Sequence, residues 1–194
     1  LVTAGHVFPE GAEDTEVRAA SDPSSDVAVI GTLTRNLLDV PCAHTGYPFD
    51  VALVALTDDG QQMAWDTLDS GLELRLTEIV DADFMHGEPV QAYLPTRADY
   101  SDTFYANSEP FEVAVETEDG LRAYVLRDIV RVPGLQPDLG DSGTVVMTVE
   151  EDRRAVGFCV GRIGDFALVE PLTRATLAFE EHLGESLALW PSQG

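Results

Sequence analysis

Apolar residues in this chain come in short runs, and Gly, Pro, Asp or Ser closes nearly every one. Runs of this length, rich in Val, Leu, Thr and Phe, are too brief for ordinary helices and read as strands. They predict strands over Val2–His6, Val27–Thr34, Val51–Leu56, Leu72–Ile79, Pro89–Leu94, Phe111–Glu116, Ala123–Val132, Thr144–Val149, Ala155–Gly161 and Phe166–Glu170. Only "PLTRATLAFEEHLGESL" has helical periodicity, with Leu172, Ala175, Phe179 and Leu183 on one face. Thr173 is its expected cap and Gly184 its expected stop. Many short strands followed by one terminal helix predict an all-β sandwich or barrel pair. The polar, turn-rich segment "TDDGQQMAWDTLDSG" marks a domain boundary between two strand groups.

Composition narrows the function classes. Lys+Arg is 11 against 35 Asp+Glu, for a formal net charge of -24, and every basic side chain is Arg or His. Such a surface repels nucleic-acid phosphate and anionic lipid, which argues against nucleic-acid and membrane partners. The excess reads as a solvated acidic face, or as an attraction for basic substrates. No apolar run reaches the roughly 18 residues of a membrane-spanning helix. Two cysteines, Cys42 and Cys159, are few for a small secreted domain, so two free thiols and a cytoplasmic location are expected. No metal-ligand spacing is present, so neither a metal nor a cofactor is expected.

Three short motifs carry possible chemistry. In "LVTAGHVF", His6 ends a small-residue strand; a lone histidine there is more often structural than a general base. In "PFDVALVAL", Asp50 precedes an apolar strand, where aspartate is commonly a turn residue but also suits orienting an imidazole. In "PDLGDSGTVV", Ser142 sits in a glycine-flanked turn whose amides can converge on one point. A serine needs an adjacent base to become a nucleophile, so none of the three suffices alone.

Taken in order, "TAGH", "DVAL" and "GDSG" resemble the T-A-x-H, D-[IV]-A-L and G-D-S-G segments of the chymotrypsin/trypsin superfamily of serine proteases. The resemblance covers most of the chain. The downstream "AVGFCVGRIGDFALVEPL" looks like that family's last two strands ahead of its terminal helix. It implies two six-stranded Greek-key β-barrels with a C-terminal α-helix. Residues 1–68 would form the first barrel, residues 69–171 the second, and residues 172–194 the helix and tail. It further implies His6 as base, Asp50 as its orienting acid, Ser142 as nucleophile, and the Gly140 and Ser142 amides as oxyanion hole. The reaction would be peptide hydrolysis through an acyl-enzyme, on a protein or peptide substrate.

Four departures from the family pattern stand out. The chain opens at the strand carrying His6, so an upstream segment or a partner chain is expected to complete the first barrel. Thr144 follows Gly143 where the family commonly has a second glycine. The cysteines that bracket the histidine in animal digestive proteases are missing, which favours a bacterial-type, disulfide-poor member. Asp141 is expected to be a structural turn residue, because Leu1 lies beside the base and is poorly placed to pair with it.

By the same resemblance, the specificity pocket is lined by Gln136, Val160, Gly161 and Arg162. Neutral Gln136 at the pocket floor does not support strict cleavage after Arg or Lys. Asp138 is near enough in sequence to supply charge instead. Arg162 either favours an acidic residue or is an ordinary solvated strand end. The alternative to an active endopeptidase is a catalytically dead trypsin-like pseudoprotease that serves as a protein-binding module.

Overall fold

A computed structural model describes residues 1–9, 11–19, 26–38, 40–41, 46–69, 78–81, 86–92, 94, 104–107, 113–116, 123–149 and 153–184. The chain is mostly β, with two principal antiparallel sheets and a C-terminal helix. The first sheet takes β1 (Val2–Thr3), β2 (Glu16–Ala19), β3 (Ala28–Asn36) and β4 (Ala52–Leu56), in the order β1-β4-β3-β2.

The second sheet takes β5 (Pro89–Ala92), β6 (Phe104–Tyr105), β9 (Val130–Pro133), β10 (Val145–Thr148), β11 (Ala155–Ile163) and β12 (Phe166–Pro171), in the order β6-β5-β10-β11-β12-β9. It curls until its outer strands meet. Just past β6, Asn107 exchanges both backbone hydrogen bonds with Arg131 of β9, at 2.8 and 3.0 Å. A separate ribbon pairs β7 (Val113–Glu116) with β8 (Ala123–Leu126). Two closed six-stranded barrels are a finer description than these pairings give.

The elements follow the expected order with informative differences. The strand expected over Val2–His6 stops at Thr3, and His6 lies in a 3-10 turn, Gly5–Val7. That turn swings the imidazole out of the ladder. The strand expected over Ala123–Val132 is two strands, because Asp128 takes a left-handed φ of 53° and breaks the run. The strands β2 and β6 were not expected. Of Leu72–Ile79, all but its last two residues lie outside the described residues, and Ile79 makes a single bridge to Ala155. Of Phe111–Glu116, the first two positions, Phe111 and Glu112, also lie outside them.

The largest correction concerns the segment expected to be a turn-rich boundary. It holds a helix, α1 (Asp58–Asp69), packed on β3 and β4. The Gly60 amide donates to Thr57 Oγ1 at 3.1 Å, an N-terminal cap, and Asp58 and Asp59 complement the helix dipole.

The terminal helix, α2 (Leu172–Leu183), lies where its periodicity placed it. Pro171, not Thr173, is its N-cap, and no side chain caps it; Gly184 ends it at a left-handed φ of 71°. Leu172, Ala175, Ala178 and Phe179 are its buried face. They join Phe158, Val160 and Leu168 of the second sheet, and Ala4, Phe49 and Val51 of the first half, in one apolar cluster. Each large member contributes about 2 kcal/mol by burial. This cluster lies directly behind the segments that carry His6 and Asp50.

Candidate active site

Asp50 lies two residues before β4, between Phe49 and Val51, and all three are buried. The apolar anchors leave the Asp50 carboxylate at the sheet margin, facing the 3-10 turn. Its two oxygens hold the same residue twice. The His6 amide donates to Oδ1 at 2.8 Å, and His6 Nδ1 lies 2.7 Å from Oδ2. Asp50 is fully buried while the His6 side chain keeps 21% of its surface exposed. An ionised carboxylate only accepts, so Nδ1 carries the imidazole proton and donates it to Asp50. Nε2 is then the ring's lone pair. It lies 2.8 Å from Ser142 Oγ.

A second polar residue holds the turn. Buried Asn36, at the end of β3, donates from Nδ2 to the Gly5 carbonyl at 3.0 Å and accepts the Leu38 amide at 3.1 Å. It thereby fixes the backbone one residue before His6. Sequence inspection missed Asn36, since a lone Asn at a strand end reads as a turn former.

Ser142 is held by backbone. Asp141 donates its amide to the Asp138 carbonyl at 3.1 Å, and its own carbonyl accepts the Thr144 amide at 3.1 Å. The Gly143 amide reaches the Cys159 carbonyl at 2.8 Å, and the Cys159 amide reaches the Thr144 carbonyl at 2.8 Å. The fully buried Asp141 carboxylate accepts the Asp138 amide at 2.8 Å. Both glycines of the turn are conformationally required. Gly140 has a φ of 101° and Gly143 a φ of 89°, where L side chains are strained, and a side chain on Gly143 would run into the Thr3 hydroxyl. This close approach seats the serine turn against β1, and so against His6. Among the described residues, neither the Gly140 nor the Ser142 amide donates to another group.

The structure therefore brings His6, Asp50 and Ser142 together from three separate segments. The residues expected to line a specificity pocket divide. Gln136 is half-buried and Gly161 is a strand position with a φ of 155°. Arg162 is 42% exposed, and its guanidinium lies 3.8 Å from Asp138, so the two charges largely offset each other at the surface. Val160 is a correction. It is 2% exposed and packs in the central apolar cluster, so its side chain is core, turned inward next to the bulge between Cys159 and Gly161. Cys159 is a free, buried thiol, pushed up to about 12 by burial and then by the Asp141 charge, which makes it inert as a nucleophile. Cys42 lies outside the described residues.

Sequence inspection also missed a buried charge cluster behind Asp50. Glu170, on β12, is 1% exposed, and its Oε1 has no hydrogen-bond partner. Burial pushes its carboxyl up to about 8, partly offset by Arg174, while the charge of Asp50 raises it further and the Asp50 backbone N–H favours the ionised form. Arg174 of α2 reaches Glu170 at 3.8 Å and Asp128 at 3.8 Å, stacks over the Phe49 ring at 4.7 Å, and donates to the Arg127 carbonyl.

No family model and no curated protein matches the chain. Among solved structures it is similar to an inactive mutant of the Murine Norovirus NS6 protease bearing a C-terminal extension. The two are 14% identical with a TM-score of 0.48, over 88% of this chain and 82% of that one, a likeness too slight to add to the geometry.

Proposed function

We propose that this chain is a serine endopeptidase of the chymotrypsin-like type, acting on protein or peptide substrates. One observation carries the reading. Ser142 Oγ, His6 Nε2, His6 Nδ1 and Asp50 Oδ2 form one unbroken chain of contacts at 2.8 and 2.7 Å. That is the connectivity by which a hydroxyl becomes a nucleophile at neutral pH.

In this reading Ser142 Oγ attacks the scissile carbonyl carbon while its proton passes to His6 Nε2. Asp50 holds the Nδ1 proton in place and stabilises the imidazolium. The oxyanion is received by the Gly140 and Ser142 amides, which have no competing acceptor among the described residues. Collapse of the intermediate breaks the C–N bond, and the amine leaves with the proton from Nε2. Water then repeats the sequence and releases the acid from Ser142.

The decisive test is labelling with a fluorophosphonate, which reacts with an activated serine. Wild-type protein is expected to label and Ser142→Ala to remain unlabelled. An unlabelled wild type that is folded by circular dichroism would overturn the reading and leave a protease-like binding module. A peptide library with varied residues before the scissile bond then tests Arg162. Equal rates for acidic and neutral residues would show that its pairing with Asp138 cancels any preference.

A further inference from the structure

The candidate triad accounts for Asp50 but not for the second carboxyl group buried behind it. A glutamate that is 1% exposed is costly unless it is paired and hydrogen-bonded, and Glu170 is only partly so. Its partner Arg174 is beyond hydrogen-bond reach at 3.8 Å, and Oε1 accepts nothing. Among the described residues, the charged groups that act on it are Arg174 from α2, Asp50 from the segment ahead of β4, and Asp128 from the break between β8 and β9. The same Arg174 stacks on Phe49, the residue before Asp50. Glu170 and Arg174 thus hold both the backbone and the neighbouring ring of the residue that orients His6.

We propose that Glu170 is a positioning residue for the candidate triad: it grips the Asp50 backbone from behind, and when ionised it neutralises Arg174 and leaves the whole Asp50 charge to His6. This rests on the reading of Ser142 as a nucleophile. While Glu170 is protonated, the Arg174 cation draws on the charge of Asp50 and weakens the imidazolium. Once Glu170 loses its proton to solvent, the pair is neutral and the imidazolium is favoured. Activity therefore gains a second ascending step at alkaline pH, beyond the step set by His6 itself. One added charge, acting through a medium between protein interior and water, gives a rise of roughly five- to tenfold.

Two measurements test it together. The first is kcat/KM against pH for wild type and Glu170→Gln, which keeps the shape of the side chain and removes its titration. The second is an NMR titration of the His6 imidazole in the Ser142→Ala background, assigned by comparison with His6→Gln. Wild type is expected to show the second kinetic step and a second inflection in the His6 signal; Glu170→Gln is expected to lose both. Arg174→Gln is expected to move both to higher pH, and it decides the matter if Glu170→Gln does not fold. Superimposable profiles for wild type and Glu170→Gln would overturn the proposal. Turnover without the second inflection would overturn the coupling alone. The inflection without turnover would support the coupling and overturn the peptidase reading.

Discussion

The Ser142 turn is held by its own backbone, whereas the His6–Asp50 pair is held by side chains from elsewhere in the fold. Around Ser142, backbone hydrogen bonds among residues 138 to 144 and the Cys159 strand fix the loop, and the Asp141 carboxylate, which accepts the Asp138 amide, belongs to the loop itself. Around His6, the supports are Asn36 from β3, Asp50 from ahead of β4, and then Glu170 and Arg174 from the far end of the chain. A nucleophile turn can be written in four consecutive residues. An imidazole poised between two partners needs the whole core to hold its partners at the right distance. The backbone-held half is therefore expected to tolerate changes in distant residues, and the side-chain-held half to feel them.

The largest effects come from the residues that join the two halves. Ser142→Ala is expected to lower kcat by about 10^4-fold or more, with the melting temperature unchanged. Asp50→Asn is expected to lower it by about 10^4-fold, because an amide turns the imidazole to the wrong tautomer. Steady-state assay of both, beside thermal melts, checks the pair. An Asp50→Asn protein as active as wild type would mean that Asp50 only shapes the turn.

Next comes the pH dependence of stability. The folded-state carboxyl of Glu170 is raised from 4.5 to about 8, so the folded protein holds a proton that the unfolded chain has released. Stability from this group is full at acid pH and is lost as pH rises from the unfolded to the folded value. The melting temperature of wild type is therefore expected to fall, relative to Glu170→Gln, between about pH 4.5 and 8, and to level off above that. A constant difference across that range would mean that Glu170 stays ionised in the fold.

Smaller effects sharpen the contrast between the halves. Gly143→Val forces a β-branched side chain into a left-handed conformation and into the Thr3 hydroxyl, at a cost of about 1–3 kcal/mol. It is expected to cut fluorophosphonate labelling while leaving the His6–Asp50 NMR signals in place. Asn36→Ala leaves the Gly5 carbonyl and Leu38 amide unpaired, at about 1–3 kcal/mol, with the opposite signature: perturbed His6 signals and an intact serine turn. Both are read by urea unfolding and histidine NMR. Smallest of all is Arg18→Ala, which removes the exposed pair to Glu16 at 2.9 Å and is expected to change stability by under about 0.5 kcal/mol.

How much of this was legible beforehand depends on how local each feature is. The strand runs, the terminal helix and its stop at Gly184 are set by alternation and spacing within a few residues, and they can be read directly. The α1 helix was misread because its sequence is polar and its signal is a cap: Thr57 followed by two acids. The family resemblance places Val160 at the pocket, whereas its side chain shares the buried face of Phe158 in the central cluster, which depends on tertiary packing that the run "AVGFCVG" does not show.

What the sequence determined by itself was most of the short strands, the closing helix and three motifs in a fixed order, since each is encoded by neighbouring residues. Tertiary structure decided everything that depends on distance between segments far apart in the chain. It brought Nε2 to 2.8 Å from Ser142 Oγ, buried Glu170 behind Asp50, and paired Arg162 with Asp138. The physical reason is that a hydrogen bond or a buried charge is governed by ångströms and by the surrounding dielectric, and both are set only when the core closes.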